Sequence, residues 1–385
     1  MIFAELQEKW TSIRDALSQE DASTFMVLLS SPDETQVKST FDLLLSLDGS
    51  GLCAVLHEVD GQLRVREDVV SHPLLWERCI LEEVIQEGSI WHGLYVGDCF
   101  RSLEVHVLGN TSWDDLSESQ QKKVVLGSLQ CVEVPAGRFM MGADDEEAYD
   151  DESPRHKVTL SKSMKVCVYA CTQGLYASVM GHNPSVFVGS MRPVEKVSWC
   201  DAVLFCNKLS EREGLEPCYV LPEGLVDACR NQSSGWDDSI DALSQEVKWN
   251  QNANGYRLPT EAEWDYWARG GEEHLYAGSD KIDEVAWYYD NSGDKTHPVG
   301  EKNENGYGLY DMSGNVYEWV WDSGYREYSS SVTDPVYVDA SAPDRVFRGG
   351  GWCNVAWYSR VSDRNRYNAS YRGINLGFRI LRTVP

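Results

Sequence analysis

The chain has 385 residues, 42% of them hydrophobic, and a formal net charge of −27 at pH 7. This length and composition can supply the cores of two or three domains, which excludes wholesale disorder. The negative charge repels nucleic-acid phosphates, so we expect no nucleic-acid partner. Apolar runs such as residues 25–29 are far too short to cross a bilayer, so we expect no membrane span.

The cysteines and the first residues bear on the cellular compartment. There are 11 cysteines, an odd number, and no two have the Cys-x-x-Cys spacing of zinc or redox sites. The first ten residues, MIFAELQEKW, lack the basic and then apolar plan of a signal peptide. Scattered reduced thiols are typical of cytoplasmic proteins, and we expect that location. Display on a cell surface is the alternative, if an export segment has been removed.

Residues 1–128 are predicted to form a smaller, mostly helical N-terminal domain of unknown role. Apolar residues recur at helical spacing in 3–17, and residues 31–47 begin with the signals of a capped helix. Residues 73–87 are also predicted as a helix. A strand is predicted for 102–108, and the polar segment 114–123 is interpreted as a linker.

Residues 129–385 are predicted to form a second domain. Segment 131–142 alternates as a strand and leads into a glycine turn, and 154–160 alternates as a further strand. Residues 172–180 are predicted as a helix. The acidic residues 144–152 lack the glycine spacing of a calcium loop, so we interpret them as a solvated loop.

Two further helices have clear capping signals. Ser198 is a good N-cap for the helix that follows it. Thr260 is another, and Glu263 three residues later completes a capping box for a helix that extends to Arg269. Glycine turns and aromatic residues recur between the short elements, as in residues 305–319. This pattern predicts a loop-rich fold with little regular sheet.

The C-terminal stretch has scaffold at both ends and a different composition between them. Residues 345–348 are predicted as a short strand, residues 349–351 (Gly-Gly-Gly) as a sharp bend, and residues 376–382 as a closing strand. Residues 353–375 are crowded with Asn, Ser, Tyr and Arg and have no helical or strand period. That composition is typical of a recognition surface. A long polar surface loop is the alternative interpretation.

Six segments of the second half resemble the domain of formylglycine-generating enzymes, the sulfatase-modifying family. In chain order they are VPAGRFMMG, PRHKVTL, RLPTEAEWDYWARGG, NGYGLYDMSGNVYEW, RVFRGGGW and NLGFR. They occur in the family's order and cover roughly residues 130–385. The resemblance implies an α+β chain. Its C-terminal domain would have the C-type lectin-like fold of this family, loop-rich with an antiparallel sheet, after the smaller helical domain.

The resemblance does not extend to the residues that carry catalysis in the family. Its copper-dependent oxidases use two cysteines five residues apart, where this chain has Asn354 and Ser359, or Cys353 and Tyr358 if the match slides by one. Neither choice supplies the two thiolates that Cu(I) prefers. The eight histidines include no HxxxHxE cluster of the iron-dependent relatives. We therefore expect no enzyme; a relative of the oxidases is the alternative.

The C-terminus also resembles the variable proteins of diversity-generating retroelements, which carry this fold. Their variable region lies between a GG(S/G)W entry and an (L/I)GFR exit, matched here by residues 350–352 and 376–379. Adenines of a template are randomised in such systems, so Asn codons become codons for many residues. Residues here that such changes reach from Asn are Cys353, Val355, Tyr358, Asp363, Tyr367, Ser370, Tyr371, Gly373 and Ile374. Unchanged sites would be Asn354, Asn365, Asn368 and Asn375.

This resemblance implies a ligand-binding protein that is diversified over about residues 352–375. Its partner would be a variable protein or surface ligand, and its oligomeric state is open. A non-diversified interaction scaffold is a further alternative. The predicted contact residues are Cys353, Asn354, Val355, Trp357, Tyr358, Asp363, Tyr367, Asn368, Ser370, Tyr371, Gly373, Ile374 and Asn375.

The environment of the aromatic residues and arginines follows from this interpretation. We expect Trp352 and Phe378 to be buried anchors at the two ends of the segment. Four aromatic residues should be exposed together on one face, because binding energy concentrates in a few such side chains. They are Trp357, Tyr358, Tyr367 and Tyr371. The interleaved arginines should be fixed supports whose forked guanidinium groups hold the irregular loop by hydrogen bonds to the backbone. They are Arg360, Arg364, Arg366 and Arg372.

A calcium site is implied by the resemblance alone. In the formylglycine enzymes one calcium is held by side chains and carbonyls of the block that matches Asp311, Gly314, Val316 and Glu318. Two carboxylates around a glycine turn suit Ca²⁺ chemically. The alternative is that Asp311 and Glu318 cap turns and pair with nearby arginines. We expect no other cofactor.

Overall fold

The computed structural model describes residues 56–59, 62–65, 110–144, 148–232, 235–324, 331–339, 342 and 344–383. The chain divides into two compact units, Met1–Val107 and Leu108–Pro385. In the first, the described residues form an antiparallel hairpin of β1 (Leu56–Val59) and β2 (Gln62–Val65). The elements predicted between residues 3 and 47 and between 73 and 108 lie outside the described residues.

The second unit combines short helices with short strands. Its described helices are α1 (Glu118–Ser128), α2 (Gln173–Met180), α3 (Trp199–Arg212), α4 (Leu225–Asn231), α5 (Asp238–Gln245), α6 (Glu261–Arg269) and α7 (Ile282–Val285). Its described strands are β3 (Cys131–Val134), β4 (Gly137–Met141), β5 (His156–Leu160), β6 (Met164–Cys167), β7 (Tyr219–Val220), β8 (Lys248–Trp249), β9 (Tyr256–Arg257), β10 (Tyr317–Ser323), β11 (Val332–Thr333), β12 (Asp344–Arg348), β13 (Asn365–Asn368), β14 (Leu376–Phe378) and β15 (Leu381–Thr383).

The strands form small, mainly antiparallel sheets. The order in the sheet that carries the C-terminal segment is β13-β12-β10-β14, with β10 and β14 parallel. A second sheet has the order β3-β6-β15-β9 and is antiparallel throughout. A third has the order β11-β5-β4. The predicted α+β, loop-rich architecture with an antiparallel sheet is therefore confirmed for the second unit.

Local hydrogen bonds explain where the helices begin. Thr260 and Glu263 form a reciprocal capping box at the start of α6, as predicted. Ser198 caps α3, as predicted, and Asp201 completes a second capping box there. The segment 114–123, interpreted above as a linker, is instead largely helical. Ser117 caps α1: its hydroxyl accepts a hydrogen bond from the amide of Gln120, and the Gln120 side chain completes a capping box within this polar segment. No helix in the described part of the chain is long and apolar enough to cross a membrane.

Aromatic side chains fill the larger of the two main clusters of the core. Phe205 of α3 stacks on Tyr176 of α2 at 5.6 Å between ring centroids, and Phe378 of β14 packs edge-on against Phe205 at 5.2 Å. Trp199 and Trp319 are fully buried in the same cluster. The two helices and the sheet are thus fixed to each other by large apolar surfaces, which is the main stabilising contribution.

The predicted closing strand 376–382 is two strands in two different sheets. β14 pairs with β10, whereas β15 pairs with β6 and β9. Arg379 lies between them, fully buried, and donates to Glu318 and to the carbonyls of Cys167 and Tyr310. Because Glu318 belongs to β10 and Cys167 to β6, Arg379 joins the two sheets at the point where the chain passes from one to the other.

Candidate ligand-binding surface

A glycine turn and a buried tryptophan form the entry to the C-terminal segment. Gly349 and Gly350 have φ values of +98° and +74°, which other residues rarely adopt. A Cβ on Gly350 would lie 2.5 Å from the hydroxyl oxygen of Ser359, so a side chain there would clash. Trp352 follows with 7% exposure, and its indole N–H donates to the carbonyl of Ile374 at 3.0 Å. The start of the segment is thereby tied to its end.

The exit is equally well anchored. Phe378 is fully buried and contacts the aromatic core. Across the base of the segment, the side-chain amide of Asn375 donates to Asn354 at 3.1 Å. Trp352 and Phe378 are therefore buried anchors, as predicted. Between these anchors the chain forms a closed loop whose ends cannot separate without exposing aromatic surface.

Residues 353–375 are more regular than the sequence predicted. Ala356–Ser359 is a turn of 3₁₀ helix, and β13 forms the edge of the sheet by antiparallel pairing with β12. This pairing places Tyr367 opposite Arg345 and Asn368 opposite Asp344. The sequence of β13 shows no alternation of apolar and polar residues, because an edge strand with a polar outer face has no apolar period.

Arg348 and Arg364 share one carboxylate beneath the segment. Arg348 donates to Glu261 at 2.7 Å and to Asp265 at 2.9 Å, both on α6. Arg364 donates two hydrogen bonds, of 2.6 and 2.7 Å, to the two carboxylate oxygens of Glu261. Burial by itself would raise the pKa of Glu261, but Arg364 and Arg348 outweigh it and lower that pKa. The carboxylate is therefore ionised, and α6 is bonded to both the entry and the middle of the segment.

Arg360 and Arg372 bind two other parts of the domain. Arg360 donates to Glu152 at 2.6 Å, and both side chains are almost wholly buried. The acidic residues 144–152, predicted as a solvated loop, thus include a buried carboxylate whose partner lies 208 positions away in sequence. Arg372 donates twice to Asp201 of α3, at 2.8 and 3.0 Å, and also to the carbonyls of Gln232 and Cys229.

Three of the four interleaved arginines therefore support the segment from below. Their partners are carboxylates as well as the backbone carbonyls that we expected. Arg366 is different: its side chain is 42% exposed and lies 3.6 Å from Asp344 at the sheet edge. Arg366 is therefore more exposed than the fixed support that we predicted, and the carboxylate beside it belongs to the neighbouring strand β12.

The outward side of the segment presents apolar and aromatic side chains. Val355, Ile374 and Tyr367 are 51%, 42% and 40% exposed. The partly exposed members of the predicted contact set are Cys353, Asn354, Trp357, Tyr358, Asn368, Tyr371 and Asn375. The side chains of Val355 and Ile374 are thus available to a partner that would bury them.

The four aromatic residues are less exposed than predicted. Tyr358 and Tyr371 are partly buried and pack against the larger core cluster, whereas Tyr367 is exposed and lies 4.3 Å from the Tyr371 ring. The Trp357 ring lies between the guanidinium of Arg360, 3.8 Å from its centroid, and the ring of Tyr149. Each of these aromatic side chains is thus exposed to solvent over part of its surface and packs on the scaffold over the rest.

Three predicted contact residues do not reach the surface. Asp363 is 1% exposed, Ser370 is fully buried, and Gly373 is buried. The Ser370 hydroxyl accepts from the backbone of Asp237, and the Ser370 amide donates to Asp241. Their assignment as contact residues is corrected here, because the irregular backbone points these positions at the scaffold, and spacing along the sequence cannot reveal that.

Residues outside the segment extend the exposed apolar surface around it, and sequence analysis missed them. Tyr289 is 57% exposed and its amide donates to the carbonyl of Asn354. Val186 and Val188 are about half exposed and flank Phe187, whose ring packs on Trp352 at 5.1 Å. These residues come from distant loops, so no local pattern could have shown that they adjoin the segment. We call Tyr149, Val186, Val188 and Tyr289 the fixed rim.

Among the described residues, no second thiol is paired with Cys353. It is half-buried, and burial raises the pKa of its thiol. Its thiol lies 3.9 Å from the side-chain oxygen of Asn354. The two close thiol pairs among the described residues, Cys131 with Cys167 and Cys200 with Cys229, do not include it.

The implied calcium ligands do not form a suitable donor set. The carboxylate of Glu318 accepts from Arg379 and, at 2.8 Å, from the indole of Trp264. Asp311 accepts from the amide of Gly300, and burial raises the pKa of Asp311 to about 6. A buried arginine already neutralises Glu318 and would repel a cation. No group of three or more His, Cys, Asp or Glu that could hold a metal occurs among the described residues.

The sequence model of a protein family, the sulfatase-modifying factor enzyme 1-like domain, matches residues 117–384 of this chain. The solved structure of Treponema denticola variable protein 1 is 37% identical, covering 66% of this chain and 95% of its own, with a TM-score of 0.59. Chaperone protein LppX of Paenibacillus barcinonensis is 36% identical over 258 residues, which are 62% of this chain and 85% of LppX. The formylglycine-generating enzyme of Mus musculus is 28% identical over 290 residues, 66% of this chain and 75% of the enzyme.

The chain therefore belongs to the sulfatase-modifying factor enzyme 1-like family. Within that fold it is similar both to a variable protein and to formylglycine-generating enzymes. Because one fold serves both kinds of protein, the functional assignment depends on the site.

Proposed function

We propose that this chain is a non-catalytic ligand-binding protein whose surface over about residues 352–375 is diversified by a diversity-generating retroelement. One observation carries the proposal: within the segment, the residues that bond to the scaffold are different from the residues that face solvent. Arg360, Arg364 and Arg372 are bonded to buried carboxylates, whereas other side chains of the segment, such as Val355 and Tyr367, are exposed. A segment built in this way can change its outward residues without losing its scaffold contacts.

The contact surface would comprise the accessible part of the segment together with the fixed rim. Its apolar and aromatic side chains are typical of protein-binding surfaces, where Tyr and Trp supply rigid contact area. The ring of Trp357 in the segment contacts the ring of Tyr149 in the fixed rim, so the two parts of the surface adjoin. The partner would be a protein or another surface ligand that buries Val355 and Ile374. Its identity would differ between variants, because the outward residues determine it.

One similarity and one difference support this function over catalysis. Treponema denticola variable protein 1 has a similar fold at 37% identity. The formylglycine-generating enzymes share the domain, but this chain lacks the cysteine pair at the matching positions and has Asn354 and Ser359 there. A single half-buried thiol at Cys353 is a poor Cu(I) site, since that metal prefers more than one soft ligand.

The genomic neighbourhood tests the diversification. We expect a reverse transcriptase gene and a near-copy of the codons for residues 352–375 close to this gene, with differences confined to adenines of the copy. If neither is found in the natural genome, the retroelement function is refuted and an undiversified scaffold takes its place.

A display library tests the separation of support and presentation. One library randomises Val355, Tyr367 and Ile374, and a matched library randomises Arg360 and Arg364. We expect most members of the first library and few of the second to be displayed in folded form. Equal losses would contradict the proposal. Oxygen-dependent conversion of a cysteine-containing sulfatase peptide by the purified chain would support the oxidase alternative.

A further inference from the structure

Two cysteines outside the candidate ligand-binding surface lie directly opposite each other on neighbouring strands. Cys131 begins β3 and Cys167 ends β6, and the register of the two strands pairs them. Their sulfur atoms are 3.3 Å apart, and both are free thiols. The two cysteines are 36 positions apart along the chain, so only the pairing of the strands brings them together.

The backbone geometry suits a bond between them. The amide of Cys167 donates to the carbonyl of Ile380 on the far side of β6, so it does not point towards β3. Cys131 and Cys167 are therefore a non-hydrogen-bonded pair, for which the Cα separation is about 4.5 Å. Disulfides span Cα separations of about 4.4–6.8 Å, so the two strands need not move for a bond to form.

The two thiols differ in access and in acidity. Cys131 is exposed, whereas Cys167 is 1% exposed. The hydrogen bond from Cys167 lowers the pKa of Cys131, and the nearby charges of Arg382 and Lys165 lower it further. The same hydrogen bond, together with burial, raises the pKa of Cys167. The accessible sulfur is thus the better thiolate nucleophile, and the buried one is placed to resolve its oxidised form.

We propose that Cys131 and Cys167 are a site of reversible oxidation by hydroperoxides, which closes a disulfide between β3 and β6. The thiolate of Cys131 attacks the terminal peroxide oxygen and the O–O bond breaks. Hydroxide leaves from hydrogen peroxide, or an alkoxide from an organic hydroperoxide, and Cys131 becomes a sulfenic acid. The thiol of Cys167 then attacks that sulfur. The S–S bond forms, and the hydroxyl leaves as water with the proton from Cys167. The peroxide is reduced, and the two thiols are oxidised.

The bond would fasten the first strand of the second sheet to its neighbour. β6 also pairs with β15, which follows the exit from the ligand-binding surface. The closed loop restricts the unfolded chain, so the oxidised protein should be more stable than the reduced one. The thiols would remain reduced in a reducing cytoplasm, whereas the disulfide would persist outside it.

Peptide mapping of the full chain tests this site. The fully reduced protein is treated with hydrogen peroxide, alkylated and digested without reductant. We expect a peptide that links Cys131 to Cys167, which dithiothreitol separates, and a Tm that rises by several degrees on oxidation and falls back on reduction. C131S should abolish both effects. C167S should accumulate a sulfenic acid at Cys131 that dimedone traps.

The buried thiol pair of Cys200 and Cys229 supplies the matched control. C200S should leave the Cys131–Cys167 link unchanged. The proposal is overturned if the wild-type chain yields only over-oxidised Cys131 with no linked peptide. It is also overturned if Cys200 and Cys229 are linked as readily, since accessibility would then not select the site. Both results come from the wild-type protein, so they do not depend on whether a variant folds.

Discussion

Replacing Asp363 by Asn should make the stability of the protein depend less on pH. Asp363 is 1% exposed and accepts a hydrogen bond of 2.9 Å from the side-chain amide of Asn365. Burial raises the pKa of Asp363 to about 8, although Arg348 and Arg360 oppose the shift. An Asn at this position remains neutral and can still accept from Asn365 through its own carbonyl. It is also the residue from which the proposed diversification would start.

The sign and the magnitude follow from proton linkage. In the unfolded chain an Asp has a pKa of about 3.9. Between that value and about 8 the folded protein holds a proton on Asp363 that the unfolded chain has released. The free energy of unfolding therefore decreases as the pH rises through this window, by about 1.4 kcal/mol per pH unit for this group. Asp363→Asn removes the decrease, which amounts to about 3 kcal/mol between about pH 5 and about pH 7.

Urea unfolding of both proteins at about pH 5 and about pH 7 measures the effect. The stability advantage of Asp363→Asn over wild type should be larger at the higher pH by about 3 kcal/mol. Taking the difference cancels other buried carboxyls, such as Asp322, whose pKa burial raises to about 7. Asp344→Asn is the matched control. Asp344 is a partly exposed carboxylate on β12, the strand that pairs with β13 just after Asp363.

An advantage that is the same at both pH values would refute the reasoning. A variant that is less stable than wild type at the higher pH would also refute it. Either result would mean that Asp363 is ionised in the folded protein and forms an effective ion pair with Arg348 or Arg360. Burial would then not be the dominant influence on this carboxyl.

Three further predictions concern the scaffold. Trp352→Ala and Phe378→Ala should each lower the free energy of unfolding by roughly 3–5 kcal/mol, since both remove buried aromatic surface. The matched exposed changes Val355→Asn and Ile374→Asn should alter it by only about 0.5 kcal/mol in urea unfolding. Glu261→Gln should cost about 3–5 kcal/mol, because it leaves two buried guanidinium groups without their shared charge; a loss below about 1 kcal/mol would show that the cluster is not needed. Neither calcium nor EDTA should shift the Tm, and a rise in Tm that requires calcium would show that the implied site binds after all.

Features that depend on a few neighbouring residues could be predicted from the sequence. The N-cap at Ser198 and the capping box of Thr260 and Glu263 could be predicted because the residues involved lie within three positions of each other. The bend at residues 349–351 was predicted because glycine alone accepts the required φ without strain. The order of six motifs similarly indicated the family, to which the chain belongs.

The partners of the arginines and the inward or outward direction of each residue in 353–375 were decided only by the tertiary structure. Glu152 and Arg360 are paired across 208 positions, and Arg372 meets Asp201 across 171. Nothing local marks Glu152 as buried or Asp363 as turned inward, since neither a charge nor an irregular loop has a period. Which side of such a loop faces water depends on what it packs against, and those atoms come from the rest of the chain.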